Sequence, residues 1–242
     1  MPAERWVTDN GRMIPPAHLA ALAALLADET RAAMCLALLD GRAWTAGELA
    51  AHTGVARSTA TEHLHRLVDG GLLVERRQGR HRYVELADPG LIEELAARLP
   101  PRTAPVSGLR AATANEALRR GRTCYDHLAG RLGDAVTEAM TAAGLLDQSA
   151  GFALTPAGLA WLTGPVGVDP ASLQAGRRPV ARDCLDWTER RPHLAGVAGA
   201  RLCAAFLRHG WVVRVGSGRA VRLSTAGAAA ARDLLGLGSL SL

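Results

Sequence analysis

The chain has 242 residues, 48% of them hydrophobic, and carries 28 basic against 23 acidic side chains for a formal charge of +5. An ordinary soluble core is available, the length fits two modest domains, and the mild basic lean suits a polyanionic partner. Cys35, Cys124, Cys184 and Cys203 form no C-x-x-C pair, which excludes a zinc ribbon or a thioredoxin-like site, and no apolar run reaches membrane-spanning length.

Pro15-Pro16 opens a first helix with Leu19, Leu22, Leu25 and Leu26 at helical spacing. Asp28 reads as the N-cap of a second, whose stripe of Ala32, Cys35, Leu36 and Leu39 ends at Gly41. Thr45-Ala46-Gly47-Glu48 is a capping box that starts a short helix over 46–52, stopped by Thr53-Gly54. Another helix follows from Arg57 to Val68, and two short helices around a glycine turn predict a helix-turn-helix. On this second helix Ala60, Leu64, Leu67 and Val68 face the core. Ser58, Thr59, Glu62, His65 and Arg66 lie opposite, with Arg57 and Thr61 at the leading end. Short hydrogen-bonding side chains at a helix start are what a major-groove reader needs.

After Gly70-Gly71, strand-like runs on either side of Gln78-Gly79 predict a hairpin over 72–86 carrying Arg76, Arg77, Arg80 and Arg82. Between Arg57 and Arg82 six arginines face three acids, so over half of the net charge of the chain sits there, as expected for phosphate contact and minor-groove insertion. Asp88-Pro89 starts one more helix over 90–99, and Pro100-Pro101 opens a linker to Pro105.

The run Leu26-Ala27-Asp28-Glu29-Thr30-Arg31, the Ser-x-x-Thr-x-His-Leu-x-x-Leu spacing within 55–67, and Gly71-Leu72-Leu73 followed by Arg-Gln-Gly-Arg and Tyr83 resemble the ArsR/SmtB family of bacterial winged-helix regulators. The resemblance covers roughly residues 15–100. It implies a homodimer built from the first and last helices of the module, a two-fold-related operator on double-stranded DNA, repression relieved by an effector that the sequence does not identify, and a place in the bacterial cytosol and nucleoid. Ala56 stands where the family carries a capping serine, so the helix start either frays or leans on Ser58. Many relatives sense metals through cysteines on the first helix of the helix-turn-helix or through His and acidic pairs on the last. Here 46–52 holds no cysteine and the last helix offers Glu93 and Glu94 without a histidine, so neither familiar site is present.

The second half contains an internal match. Arg122-Thr-Cys124-Tyr-Asp126 pairs with Arg182-Asp-Cys184-Leu-Asp186, His127-Leu-Ala-Gly130 with His193-Leu-Ala-Gly196, and Leu154-Thr-Pro-Ala-Gly158 with Leu223-Ser-Thr-Ala-Gly227. Each copy, about 109–165 and 178–235, reads as a helix, a second helix (132–143; 201–209) and a short strand pair. Several readings of the duplicated polar residues stand side by side. Cys124, Asp126, His127, Cys184, Asp186 and His193 could converge as metal ligands, the cysteines could form a thiol switch, or the set could be packing alone. Trp161, Trp187 and Trp211 are the candidate walls of an organic-ligand pocket.

The fold expected is mainly α with small β-hairpins. A winged helix-turn-helix over 1–101 serves DNA binding and dimerisation, and an α/β-hairpin domain of two pseudo-repeats follows over 106–242. The function expected is a DNA-binding repressor without cofactor or membrane partner. Its rivals are an enzyme with a winged-helix dimerisation domain and a protein-interaction module. No Gly-rich nucleotide turn, Ser/His/Asp order or paired-carboxylate site supports the enzyme, and the arginine wing argues against the interaction module.

Overall fold

The computed structural model describes residues 15–78, 81–99, 109–174, 176 and 178–238. The chain divides into two compact units, 1–88 and 89–242.

In the first unit α1 (Pro16–Leu26) and α2 (Glu29–Ala37) precede β1 (Trp44–Thr45), α3 (Ala46–Thr53), α4 (Arg57–Asp69), β2 (Leu73–Gln78) and β3 (His81–Leu86). Asp28 caps α2 by accepting from the Arg31 amide at 2.9 Å. The capping box of α3 is complete: Thr45 Oγ1 accepts from the Glu48 amide and Glu48 Oε2 accepts from the Thr45 amide at 2.7 Å. Gly54 ends α3 with φ +71, a conformation that a Cβ would strain. The side of α4 that carries Ala60, Leu64 and Leu67 is buried, as its period predicts. The wing strands pair antiparallel, and β1, too short to leave a sequence signal, adds to β3 to give the order β1-β3-β2.

Arg31 links three helices of this unit. Its Nε and Nη2 donate to the carbonyls of Leu25 and Ala24 at the end of α1, at 2.6 and 2.9 Å, and Nη1 reaches His63 Nδ1 on α4 at 3.4 Å. The arginine of the Asp-Glu-Thr-Arg run therefore satisfies carbonyls that the last turn of α1 leaves open.

The second unit begins with α5 (Pro89–Arg98) and α6 (Leu109–Arg120). There follow β4 (Arg122–Cys124), β5 (His127–Ala129), α7 (Gly130–Ala142), β6 (Leu146–Asp147), β7 (Ala153–Leu154) and α8 (Pro156–Thr163). The same order then recurs as β8 (Arg182–Leu185), β9 (Pro192–Ala195), α9 (Gly196–Arg208), β10 (Val212–Arg214), β11 (Val221–Leu223) and α10 (Thr225–Leu235). One core takes Leu132, Val136 and Met140 from α7 and Leu202, Cys203 and Phe206 from α9. The matched Leu-Thr/Ser-x-x-Gly strings have a shared structural reason. Thr155 and Ser224 cap α8 and α10 by accepting from the amides of Gly158 and Gly227, and a Cβ on those glycines would stand 2.0 and 1.8 Å from the carbonyl oxygens of Leu145 and Trp211.

Three expectations are corrected here. The Arg-x-Cys-x-Asp segments lie on β-hairpins, not helices, because Tyr125 and Arg190 adopt φ of 55° and 61° and turn the chain back on itself. The helices expected over 132–143 and 201–209 begin earlier, at Gly130 and Gly196, where positive φ lets a strand pass directly into a helix. The units part at Asp88, not at 101, since α5 buries Glu93 against Arg122, Cys124 and Arg219. Arg80, the wing tip and the linker over 100–105 lie outside the described residues.

Candidate DNA interface and a buried Cys–His cluster

On α4 the side chains of Arg57, Ser58, Thr59, Glu62, His65 and Arg66 are exposed, while Thr61 is half-buried and donates its hydroxyl to the Arg57 carbonyl at 2.8 Å. Ala56 is extended and no side chain caps the helix start, so Ser58 does not take the role of the family serine. The first-turn amides of α4 lack a side-chain acceptor and carry the positive end of the helix dipole.

Several arginines of this face are paired with acids of the same unit. Arg66 meets Glu62 at 2.6 Å, Arg76 meets Glu85 at 2.9 Å, Arg77 meets Glu75 at 3.2 Å and Arg82 meets Glu75 at 2.6 Å. Arg82 also donates to His65 Nε2 at 2.7 Å, tying the wing to the reading helix. Desolvation works to raise the Glu75 carboxyl, but Arg77 and Arg82 together outweigh it and hold the group below its ordinary range. Exposed pairs of this kind contribute little to stability and exchange readily for phosphate.

The second unit brings together four of the six duplicated polar residues. Cys124 lies directly across its hairpin from His127, and Cys184 directly across from His193. The two sulfurs are 3.9 Å apart and the two Nε2 atoms 3.1 Å apart; the ligand atoms of all four side chains lie within 4.8 Å of one another. Cys124, His127 and His193 are buried and Cys184 is half-buried.

Asp126 and Asp186 stand behind the histidines, outside this group of four. Asp126 lies 3.2 Å from His127 Nδ1 and is gripped by both guanidinium nitrogens of Arg178. Asp186 lies 3.7 Å from His193 Nδ1, and its carboxylate accepts from Arg122, the Thr188 hydroxyl and the amides of Thr188, Glu189 and Gly130. Burial works against both charges, but Arg178 and His127 hold the Asp126 carboxyl well below its usual range, and Arg122 does so for Asp186.

The hydrogen bond between the thiols pushes Cys124 up and Cys184 down. Burial and Glu93 add to the rise at Cys124, and the two imidazoles add to the fall at Cys184. His127 is raised because Asp126 and Cys184 outweigh its burial. The other two cysteines are plain core residues whose thiols burial pushes up, to about 11 for Cys35 and about 12 for Cys203.

Sequence reasoning missed the groups that surround this cluster. Glu93 on α5 accepts from Cys124 Sγ at 2.8 Å and meets Arg219 at 2.9 Å. Asp134 on α7 has its carboxyl pushed up to about 7 by burial, then by Asp186 and Glu189. No local pattern marks either residue, because their partners are distant in sequence.

Each of the three tryptophans has its own contacts. Trp161 donates to the Leu234 carbonyl within the core, Trp211 stacks on His209, and Trp187 lies under Arg122 with 5.0 Å from ring centre to guanidinium carbon. A cavity of about 530 Å³ in this unit is lined instead by residues such as Arg120, Leu132, Val221 and Arg232.

The family described as "Helix-turn-helix domain" matches residues 26–76. The HTH-type transcriptional regulator YdfF of Bacillus subtilis (strain 168) is 36% identical over 214 residues, covering 87% of this chain and 93% of its own length. The HTH-type transcriptional regulator CmtR of Mycobacterium tuberculosis is 44% identical over 77 residues, covering 32% of this chain and 64% of its own. The NMR structure of CmtR, described as a cadmium metal-sensor, aligns with a TM-score of 0.29 at 36% identity, covering 38% of this chain and 99% of that one. With a regulator matched along nearly its whole length and a winged helix-turn-helix in place, the chain belongs to the ArsR/SmtB family of DNA-binding transcriptional regulators.

Proposed function

We propose that the protein acts as a homodimeric repressor on a two-fold-related operator, and that an effector bound by its second unit relieves repression. The observation that carries the DNA contact is the open polar start of α4: Arg57, Ser58 and Thr59 are exposed and the first-turn amides have no side-chain cap. In this reading Arg57, Ser58, Thr59, Thr61 and Glu62 face base edges, while His65 and Arg66 lie further along the groove. Arg77, Arg80 and Arg82 reach the backbone or the minor groove, Arg77 and Arg82 exchanging Glu75 for phosphate. The second unit is a duplicated β-hairpin–helix–β-hairpin–helix element, supported by its matched caps and glycines.

Dimerisation is supported by α1. Its sequence Pro-Ala-His-Leu-Ala-Ala-Leu-Ala-Ala-Leu-Leu is almost wholly apolar, yet none of its residues is buried and Leu19 is 65% exposed. A second copy of the chain is the occupant that such a helix calls for.

Fluorescence anisotropy with operator and random duplexes across a salt series tests the division of labour. Arg77→Ala should weaken binding to every duplex and reduce the salt slope by about one. Glu62→Ala should change the preferred base by about 1–3 kcal/mol while leaving the slope alone. Identical behaviour of the two variants would sink the assignment.

A further inference from the structure

We infer that Cys124, His127, Cys184 and His193 form a Cys2His2 centre for one tetrahedral divalent ion of the zinc class. The first ground is register. Residues directly opposite on an antiparallel pair project to the same face with Cβ atoms about 4.5–5.5 Å apart, so each hairpin presents one thiol and one imidazole together. The two hairpins then oppose these faces.

The second ground is distance. With metal–sulfur bonds of about 2.3 Å and metal–nitrogen bonds of about 2.05 Å, the edges of a tetrahedron are about 1.63 times longer, or about 3.8 Å between sulfurs and about 3.3 Å between nitrogens. The distances found are 3.9 and 3.1 Å. Hydrogen bonds between the thiols and between the imidazoles hold both edges near the lengths that a bound ion requires.

The third ground is the facing pair of imidazoles. Two Nε2 atoms 3.1 Å apart share one proton between them at most. Behind each imidazole stands the aspartate of the same sequence motif, Asp126 or Asp186, anchored by Arg178 or Arg122. A carboxylate on Nδ1, as Asp126 is on His127 at 3.2 Å, selects the tautomer that leaves Nε2 free to ligate, so Asp126 acts as a positioning residue. Two thiolates and two neutral imidazoles around a dication sum to zero charge, which suits a buried site.

The backbone gives a fourth ground. Among the described residues, the two non-glycine residues with left-handed φ are Tyr125 and Arg190, one in the turn of each ligand-bearing hairpin. A bulky residue in that region is strained by roughly 1–2 kcal/mol, and strain of this kind gathers at sites that need a fixed geometry.

Loading the site needs both sulfurs as thiolates and displaces the Cys124 proton to solvent, with no change of oxidation state. Cys124 then has no proton to share, and its 2.8 Å bond to Glu93 on α5 is lost. The inference rests on the sulfur and nitrogen positions and stands whether or not the operator reading holds.

The test is cobalt titration of the reduced full-length chain, purified without an affinity tag and stripped of metal. One equivalent should produce the visible bands of tetrahedral cobalt with thiolate-to-cobalt charge transfer, and zinc should bleach them. Cys184→Ser should weaken uptake by more than about tenfold and reduce the charge-transfer band. Asp126→Asn should keep the tetrahedral spectrum and weaken affinity about 10–100-fold. A reduced wild-type chain that shows only the pale spectrum of octahedral cobalt overturns the inference, independently of how any variant folds. Mild oxidation that closes a Cys124–Cys184 disulfide in a chain that takes up no cobalt would overturn it in favour of a thiol switch.

Discussion

On the winged-helix unit, the side chains of Arg66, Arg76 and Arg77 are 59, 74 and 81% exposed and pair with acids that are themselves wholly or partly in water. In the second unit Arg122 and Asp186 are fully buried 2.9 Å apart, with Glu93, Thr188 and Trp187 around them. The chemistry is the same guanidinium and carboxylate, yet the consequences are opposite. Water screens the first set, so each arginine can leave its partner for a phosphate. No solvent can replace the partners of the second set, so those charges stay where the fold puts them.

The sharpest way to break this contrast is Arg122→Ala. It strands the Asp186 carboxylate and should cost about 3–5 kcal/mol, read by chemical unfolding followed at the tryptophans of the second unit. A loss near zero would mean that Asp186 finds water after all. A smaller effect is expected from Gly227→Ala, which presses a methyl group towards the Trp211 carbonyl and should cost about 1–3 kcal/mol in the same measurement. Gly54→Ala is not equivalent, because nothing crowds its Cβ and only the left-handed φ opposes it; the cost should be about 1 kcal/mol. The smallest change belongs to the exposed face. Glu75→Gln frees Arg77 and Arg82 and should tighten DNA binding only a few-fold, with unfolding unchanged. A large stability loss there would show that the wing pairs are structural after all.

The first unit was the more legible in sequence because its signals are local. Asp28, the Thr45–Glu48 box and the period of Ala60, Leu64 and Leu67 each act over four residues or fewer, and each element forms where they put it. The duplicated Cys and His residues left a metal centre, a thiol switch and plain packing open side by side. The hairpins that bring them together left no such trace. Their strands are three or four residues long, and their turns use Tyr125 and Arg190 where turn chemistry favours Gly, Asn or Asp. Glu93, Arg178 and Arg219 reach the cluster from far along the chain, a proximity that only the folded backbone creates. The tryptophans left two readings open for a related reason: flat apolar surface suits a core as well as a ligand, and composition does not tell the two apart.

Arg31 carries one more consequence. Its guanidinium holds the tail of α1 and the flank of α4 at once, so a shift of one helix pulls on the other through a single side chain. In the homodimer proposed above, a signal that resets the spacing between the two reading heads would have to carry α1 along with α4. Loosening that bolt with Arg31→Met would let the head wobble, and the penalty would fall on long, rigidly spaced operators before it reached isolated half-sites.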